Sequence, residues 1–189
     1  MPSRMPGAKP AKETRDVMRR DRAIATVTTP VGEMWLVAEE EGVVATGWAR
    51  LESPPVQDEA RACASPEALA VAERAAEQLS LYFAGQLQTF TVPLVPRGTS
   101  FQMAVWESLR AIPFGARVSY RDIASAVGRP RAVRAVGQAN RANPLPVFIP
   151  CHRVVGADGR LVGYAGDAVD LKSWLLDHEA RVLRAQAVV

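Results

Sequence analysis

The chain has 189 residues, of which 48% are hydrophobic and 23% charged, and this ordinary composition predicts a globular protein of one or two domains. No apolar run approaches the roughly 18 residues of a membrane-spanning helix, so no membrane attachment is expected. Residues 1–22 are polar and basic without the apolar stretch of a secretory signal, and we expect a disordered basic tail there.

Cysteine and histidine are scarce, which restricts the redox and metal chemistry. Cys63 and Cys151 do not make a disulfide framework, so a cytoplasmic location is expected. A structural zinc site would need both cysteines and both histidines without the usual paired spacing, and we expect no metal. Cys63 is interpreted as incidental.

Positive charge is concentrated in the second half of the chain. Residues 1–96 hold 10 basic and 13 acidic side chains, whereas residues 97–189 hold 13 and 7. Nine arginines and only two acids lie from Arg110 to Arg160. This block predicts a surface for a polyanion such as DNA, with a solvated surface paired to the acidic half as the alternative.

The first half, residues 23–96, is predicted to be a small α/β domain. Gly and Pro turns separate short β-rich runs, which predict antiparallel strands at 23–27, 34–38, 43–48 and 89–94. A helix is predicted to begin at Ser65-Pro66 and to end at Gly85. Its buried face is predicted from a spacing of three and four: Leu69, Ala72, Ala76, Leu79 and Phe83.

The second half, residues 97–189, is predicted to be mainly helical. Ser100 is expected to cap one helix, and Ser119 with Asp122 resembles a capping box for the next. A break at Gly128–Pro130 and a helix over 131–142 complete a predicted helix-turn-helix, with an ordinary helical hairpin as the alternative. We further predict a buried strand over 145–149, a hairpin turn over 156–159 and a last helix over 171–183.

A potential nucleophile and a potential base are adjacent in Pro150-Cys151-His152-Arg153. Cysteine reacts through its thiolate, which a neighbouring imidazole promotes. A third group usually orients such a base, and Glu179 is the first choice, with Asp177 and Asp158 as alternatives. A small buried cysteine beside a histidine is the non-catalytic interpretation.

Further short motifs flank the Cys-His pair on both sides in the sequence: Phe101-Gln102, Val105-Trp106, Ile112-Pro113, Ser119-Tyr120, Arg134-Ala135-Val136-Gly137, Asn143-Pro144 and Gly163-Tyr164-Ala165-Gly166. Together with Pro150-Cys151-His152-Arg153-Val154 they resemble the O6-alkylguanine-DNA alkyltransferase family. The resemblance is dense over about residues 98–183 and looser over 23–96. It implies a ribonuclease H-like α/β domain followed by a winged helix-turn-helix-type helical domain.

This resemblance also implies a reaction and a partner. Double-stranded DNA is gripped through the minor groove, an O6-alkylated guanine is rotated into a pocket, and Cys151 takes the alkyl group in one irreversible step. Each protein would act once on O6-methylguanine, and more weakly on O4-methylthymine. The resemblance implies a monomer without a cofactor, with cooperative DNA binding left open.

Catalytic roles follow from the matched positions. His152 would take the thiol proton through a water, with Glu179 orienting it. Tyr120 would donate a hydrogen bond to the guanine ring, and Asn143 would tie the helix-turn-helix to the active-site segment. A buried aromatic and a simple helix stop are the alternatives for the last two.

The remaining matched positions concern DNA and the base. Arg134 would fill the gap left by the rotated nucleotide, although a phosphate contact is the alternative, and Arg121 and Arg141 belong to the DNA-binding arginines. The small residues Ala132, Ala135 and Gly137 would allow close approach to the groove. The pocket would be formed by Tyr164, Ala165, Gly166, Val154 and Arg153, and Tyr164 could be only a pocket wall.

Two departures from the family pattern and three rival functions remain at this point. Asp167 stands where a second glycine is usual, and the segment before the last helix is about one residue longer. The rivals are a lesion-binding protein without chemistry, which would lack Cys151, a transcription factor using the helix-turn-helix, and a Cys-His hydrolase. The arginine block argues against the hydrolase.

Overall fold

The structure is a computed structural model that describes residues 22–52, 64–161 and 168–187. The predicted tail over residues 1–21 and Cys63 therefore lie outside the described residues. Arg22, the last residue of the predicted tail, donates from Nε to Glu39 Oε1 at 2.8 Å. This residue is thus part of the folded unit.

The described chain begins with a three-stranded antiparallel sheet, as predicted. Its strands are β1 (Ala23–Thr29), β2 (Gly32–Glu39) and β3 (Gly42–Trp48), in that spatial order. Residues 89–94 do not form the predicted fourth strand, because only Leu94 bridges to the sheet, at Val43.

Helix α1 (Pro66–Phe83) packs on this sheet. The Ser65 hydroxyl accepts a hydrogen bond from Ala68 N at 3.1 Å, which confirms the predicted N-cap. Leu69 was expected to be buried and is 41% exposed. Alanines occupy both sides of this helix, so the apolar period did not distinguish its faces, and Val71 with Tyr82 joins the buried side instead.

Helices α2 (Ser100–Arg110), α3 (Tyr120–Ala126) and α4 (Val133–Arg141) follow. Thr99, not Ser100, caps α2, because its hydroxyl accepts from Gln102 N at 3.3 Å, while the Thr99 amide donates to Gln102 Oε1 at 2.8 Å. The capping box of Ser119 with Asp122 is present as predicted.

Helices α3 and α4 form the predicted helix-turn-helix, with Gly128 in the turn at φ +70°. Helix α4 begins two residues later than predicted, so Ala132 is its N-cap and not a helical residue. The Trp106 indole donates to Ala139 O at 2.8 Å and fixes α2 against α4.

A short parallel pair that the sequence did not reveal lies beside this motif. Strand β4 (Val118–Ser119) pairs with β5 (Val154–Val155). The predicted turn over 156–159 is present, closed by Gly156 N donating to Arg160 O at 2.9 Å. Helix α5 (Val169–Gln186) ends the described chain and is longer than predicted.

The predicted strand over residues 145–149 is absent. The segment is buried but turns, with Val147 at φ +76° and only an isolated bridge from Pro146 to Ile149. Buried residues from both halves of the chain form one contiguous core cluster. Among the described residues, no helix combines the length and apolar character that crossing a membrane requires.

Candidate active site

Cys151 opens a short 3₁₀ helix, Cys151–Arg153, directly after the buried turning segment. Both polar atoms of the Asn143 side-chain amide form hydrogen bonds with that segment. Nδ2 donates to Ile149 O at 2.9 Å, and Oδ1 accepts from Leu145 N at 3.0 Å. These bonds replace the ladder hydrogen bonds of a strand. They hold the chain in the turn that places Cys151 inside, with 4% of its surface exposed.

The Cys151 thiol lies in an environment that favours its protonated form. Burial raises the pKa of Cys151 to about 11, although a hydrogen bond from Asn143 and the charge of Lys172 act in the opposite direction. The thiol therefore needs a base to become a nucleophile at neutral pH.

Glu179, on α5, is the side chain that meets the neighbouring histidine. His152 Nε2 lies 2.8 Å from Glu179 Oε1, and both side chains are fully buried. Arg153 donates from Nη2 to Oε1 at 2.9 Å and from Nε to Oε2 at 3.1 Å. Gly115 N also donates to Oε2, at 2.8 Å. The carboxylate is thus fixed by several donors.

These contacts determine the protonation of the pair. Burial alone would raise the pKa of Glu179, but hydrogen bonds from His152 and Arg153 lower it to about 2. Burial lowers the pKa of His152, so its imidazole is neutral near pH 7. An ionised carboxylate only accepts, hence Nε2 carries the proton and Nδ1 has a free lone pair. His152 Nδ1 is buried and has no hydrogen-bond partner among the described residues.

Tyr120 and Lys172 interact electrostatically with Cys151. Burial, and then the negative charge of Cys151, raise the pKa of Tyr120 to about 12, so its hydroxyl stays a donor. Lys172 is fully buried on α5, with Nζ 5.7 Å from the centre of the Tyr120 ring. Burial lowers the pKa of Lys172 to about 8.

Other predicted site residues lie elsewhere or outside the described chain. Arg153 was expected in the base pocket, but its guanidinium is buried on Glu179 and also donates to Ile112 O at 2.6 Å. Val154 is fully buried in β5, and its amide donates to the Cys151 carbonyl. Asp158 pairs with Arg160, and Asp177 is exposed, so neither contacts His152. The predicted pocket loop, Tyr164 to Gly166 with Asp167, lies outside the described residues.

Sequence reasoning missed three contributors to this site. Tyr82 of α1 donates to Glu179 Oε1 at 2.8 Å, and Gly115 and Lys172 were not proposed. Lysine at a buried position of an apolar helix face was a detectable signal, since a buried lysine is rare. The Tyr82 contact joins residues 97 positions apart and left no local signal.

Comparison with known proteins agrees with this geometry. Residues 24–96 match the family described as 6-O-methylguanine DNA methyltransferase, ribonuclease-like domain, and residues 100–181 match its DNA binding domain. The chain belongs to the 6-O-methylguanine DNA methyltransferase family.

Relatives in this methyltransferase family align over most of their length. The constitutive methylated-DNA–protein-cysteine methyltransferase of Bacillus subtilis is 44% identical over 82% of this chain and 93% of its own. The methylated-DNA–protein-cysteine methyltransferase of Shigella flexneri is 38% identical over 83% and 95%. A crystal structure of Mycobacterium tuberculosis OGT in complex with DNA has a TM-score of 0.73 at 37% identity, covering 84% and 93%.

The DNA-binding domain of this methyltransferase presents an arginine-bearing helix to solvent. Arg134, Ala135 and Arg141 of α4 are exposed. Arg121 of the preceding helix, α3, is exposed as well. Gly137 is at the middle of α4, where a Cβ would meet no described atom within 4 Å. Packing within the described residues therefore does not require this glycine.

Proposed function

We propose that this methyltransferase repairs DNA by transferring the alkyl group of O6-methylguanine to Cys151, with weaker action on O4-methylthymine. The observation that carries the proposal is the buried contact of His152 with Glu179 next to Cys151, in a chain of this family. Each molecule acts once, because the thioether product has no leaving group that water can displace under mild conditions.

The chemical step is one displacement at the alkyl carbon. Cys151 Sγ forms a bond to that carbon while the carbon–O6 bond breaks and its electron pair stays on guanine. The thiol proton passes to His152 Nδ1 through a bridging water. The departing guanine anion takes a proton at N1 from solvent, and His152 then releases its extra proton to solvent. Atoms and electrons balance without a cofactor. The unpartnered, buried Nδ1 supports this route, because a buried polar atom is normally satisfied by protein or water.

Groups around the thiol favour departure of the guanine. The raised pKa of Tyr120 supports a hydrogen bond from its hydroxyl to the guanine ring, where negative charge develops. Asn143 positions Cys151 through the segment that it closes. The Tyr164–Gly166 loop holds the O6 side, and carbonyls near Cys151 and Val154 accept from the exocyclic amine. Arg153 acts as the partner of Glu179 rather than as a pocket side chain.

DNA is held by α4 in the minor groove, and the lesion is rotated out of the helix. The small residues Ala132, Ala135 and Gly137 permit close approach, and the open space at Gly137 supports this assignment. Arg134 occupies the gap left by the nucleotide, while Arg121 and Arg141 contact phosphates. The protein acts as a monomer, with residues 23–96 and 97–189 as its two domains.

Intact mass after incubation with a duplex containing one O6-methylguanine tests the proposal. The wild type is expected to gain about 14 Da, a methyl replacing a hydrogen, and to stop at one methyl per protein. The control variant Cys151→Ala should gain nothing. Tight lesion binding without a mass gain would indicate a sensor that has lost chemistry. If the wild type neither gained mass nor bound the lesion, the assignment would be overturned.

A further inference from the structure

Tyr82 joins the α/β half of the chain to the catalytic arrangement. Tyr82 lies in the last turn of α1, and its hydroxyl donates to Glu179 Oε1 at 2.8 Å. That oxygen is also the one at 2.8 Å from His152 Nε2. Tyr82 and Glu179 are both fully buried, so water does not compete for this hydrogen bond.

Aromatic rings and a backbone contact fix the direction of the Tyr82 hydroxyl. Ring centroids of Phe83, Phe90 and Phe114 lie 5.2, 5.4 and 5.9 Å from the Tyr82 ring. The backbone carbonyl of Tyr82 lies 2.9 Å from His178 Nε2, on the helix that carries Glu179. The phenol ring is therefore packed against residues from both halves of the chain, which restricts its movement.

The other donors alone do not define the carboxylate in the same way. Arg153 is a planar fork that can slide along both oxygens, as its Nε at 3.2 and 3.1 Å from Oε1 and Oε2 indicates. Gly115 N holds only Oε2. Besides His152 itself, Tyr82 is a neutral donor on Oε1, so it helps to orient that oxygen and withdraws charge from it.

We propose that Tyr82 is a positioning residue for alkyl transfer, through which the α/β domain aligns Glu179 and hence the His152 imidazole. The inference rests on the proposed function. Loss of the Tyr82 hydroxyl lets Oε1 turn toward Arg153, and the imidazole loses its alignment with the thiol. It also leaves more negative charge on Oε1, which strengthens proton binding by His152. We expect DNA affinity to be unaffected, because Tyr82 is fully buried and lies on α1 rather than on the exposed face of α4.

The variant Tyr82→Phe in the full chain tests this, because it keeps the ring and removes one oxygen. We expect single-turnover methyl transfer to slow about 10-fold, with unchanged DNA affinity. The acidic limb of its pH–rate profile should move to higher pH. Thr29→Val is the matched control, since it removes a buried hydroxyl that bonds Gly32 O within the β1–β2 turn of the same domain. Rates are compared at equal temperatures below each midpoint of unfolding.

A second readout needs neither DNA nor reaction. The ¹⁵N shifts of the His152 imidazole report its tautomer and protonation, and the chain has only two histidines to assign. Tyr82→Phe should raise the His152 pKa, and Thr29→Val should not. A wild-type rate and an unchanged His152 titration in Tyr82→Phe would overturn the inference, as would equal slowing by Thr29→Val. Failure of the wild type to methylate Cys151 would instead overturn the proposed function, leaving the histidine titration as the decisive test.

Discussion

His152 and Glu179 meet at 2.8 Å in a fully buried contact, although 27 positions separate them in the chain. The carboxylate accepts hydrogen bonds from α1, from the turn at Gly115 and from the 3₁₀ helix that Cys151 opens. Its ionisation assigns the proton of His152 to Nε2 and leaves a lone pair on Nδ1, as the proposed role of His152 as base requires. Orientation and charge of the imidazole thus depend on one residue of the last helix.

Glu179→Gln should weaken the acid sensitivity of folding. The folded pKa of Glu179 is about 2 against an ordinary 4.5, so the unfolded chain binds more protons between these values. The wild type should carry this stabilisation above about pH 4.5 and lose up to about 3 kcal/mol of it as the pH falls toward 2. Urea midpoints measured across this range provide the check.

The same substitution also leaves Arg153 buried without its anion, so the variant should be less stable at pH 7 by about 3 kcal/mol. Asp177→Asn on the same helix is the control, because Asp177 is exposed. A Glu179→Gln variant that loses as much stability in acid as the wild type would contradict the assigned ionisation.

Lys172→Met should slow methyl transfer about 10-fold while preserving the fold, since Met fills a similar volume without a buried charge. Lys172 is fully buried, and its charge lowers the pKa of Cys151. At pH 7, below the Lys172 pKa of about 8, this charge favours the thiolate, so iodoacetamide should alkylate Cys151 more slowly in the variant, as measured by intact mass. Arg129→Met is the control, because Arg129 is exposed and lies over the Phe101 ring at 5.4 Å. An unchanged rate of Cys151 alkylation in Lys172→Met would refute the role.

Gly137→Ala should stabilise the protein and weaken DNA binding at the same time. Glycine in a helix interior costs about 1 kcal/mol relative to alanine, and the added methyl meets no described atom. Thermal unfolding should occur at a higher temperature, whereas the dissociation constant for duplex DNA should rise several-fold. Tighter or equal DNA binding would show that this face of α4 does not approach the groove closely.

Arg134→Ala and Arg141→Ala should fail in different ways, although both arginines are exposed on α4. Arg134→Ala should slow methyl transfer from a duplex much more than from a single strand, since only the duplex leaves a gap to fill. Arg141→Ala should lower the slope of log affinity against log salt by about 1 without a strand preference. Equal effects on both substrates in Arg134→Ala would make it a phosphate contact.

Local signals in the sequence identified the sheet, the Ser65 cap, the capping box of Ser119 and the helix-turn-helix, because each depends on neighbouring residues. The segment over 145–149 was wrong as a strand since its conformation depends on the Asn143 amide and a positive φ at Val147. An apolar run alone does not distinguish a buried turn from a strand.

In the site, too, local sequence signals predict some residues, whereas other contacts depend on tertiary packing. Cys151 and His152 are adjacent, and the resemblance of the surrounding motifs made the pair conspicuous. The hydrogen bonds of Arg153 and Tyr82 to Glu179, the second of which spans 97 positions, depend on how the two halves of the chain pack. No local sequence pattern encodes such distant partners, so the sequence alone does not predict these contacts.

Glu179 is carried by α5, the last described element, whereas Cys151 precedes it by 28 positions. A chain still emerging from the ribosome therefore presents the thiol before the carboxylate that aligns its base. By the proposed mechanism, alkyl transfer therefore waits until α5 has been synthesised and has docked, because only then does Glu179 contact His152.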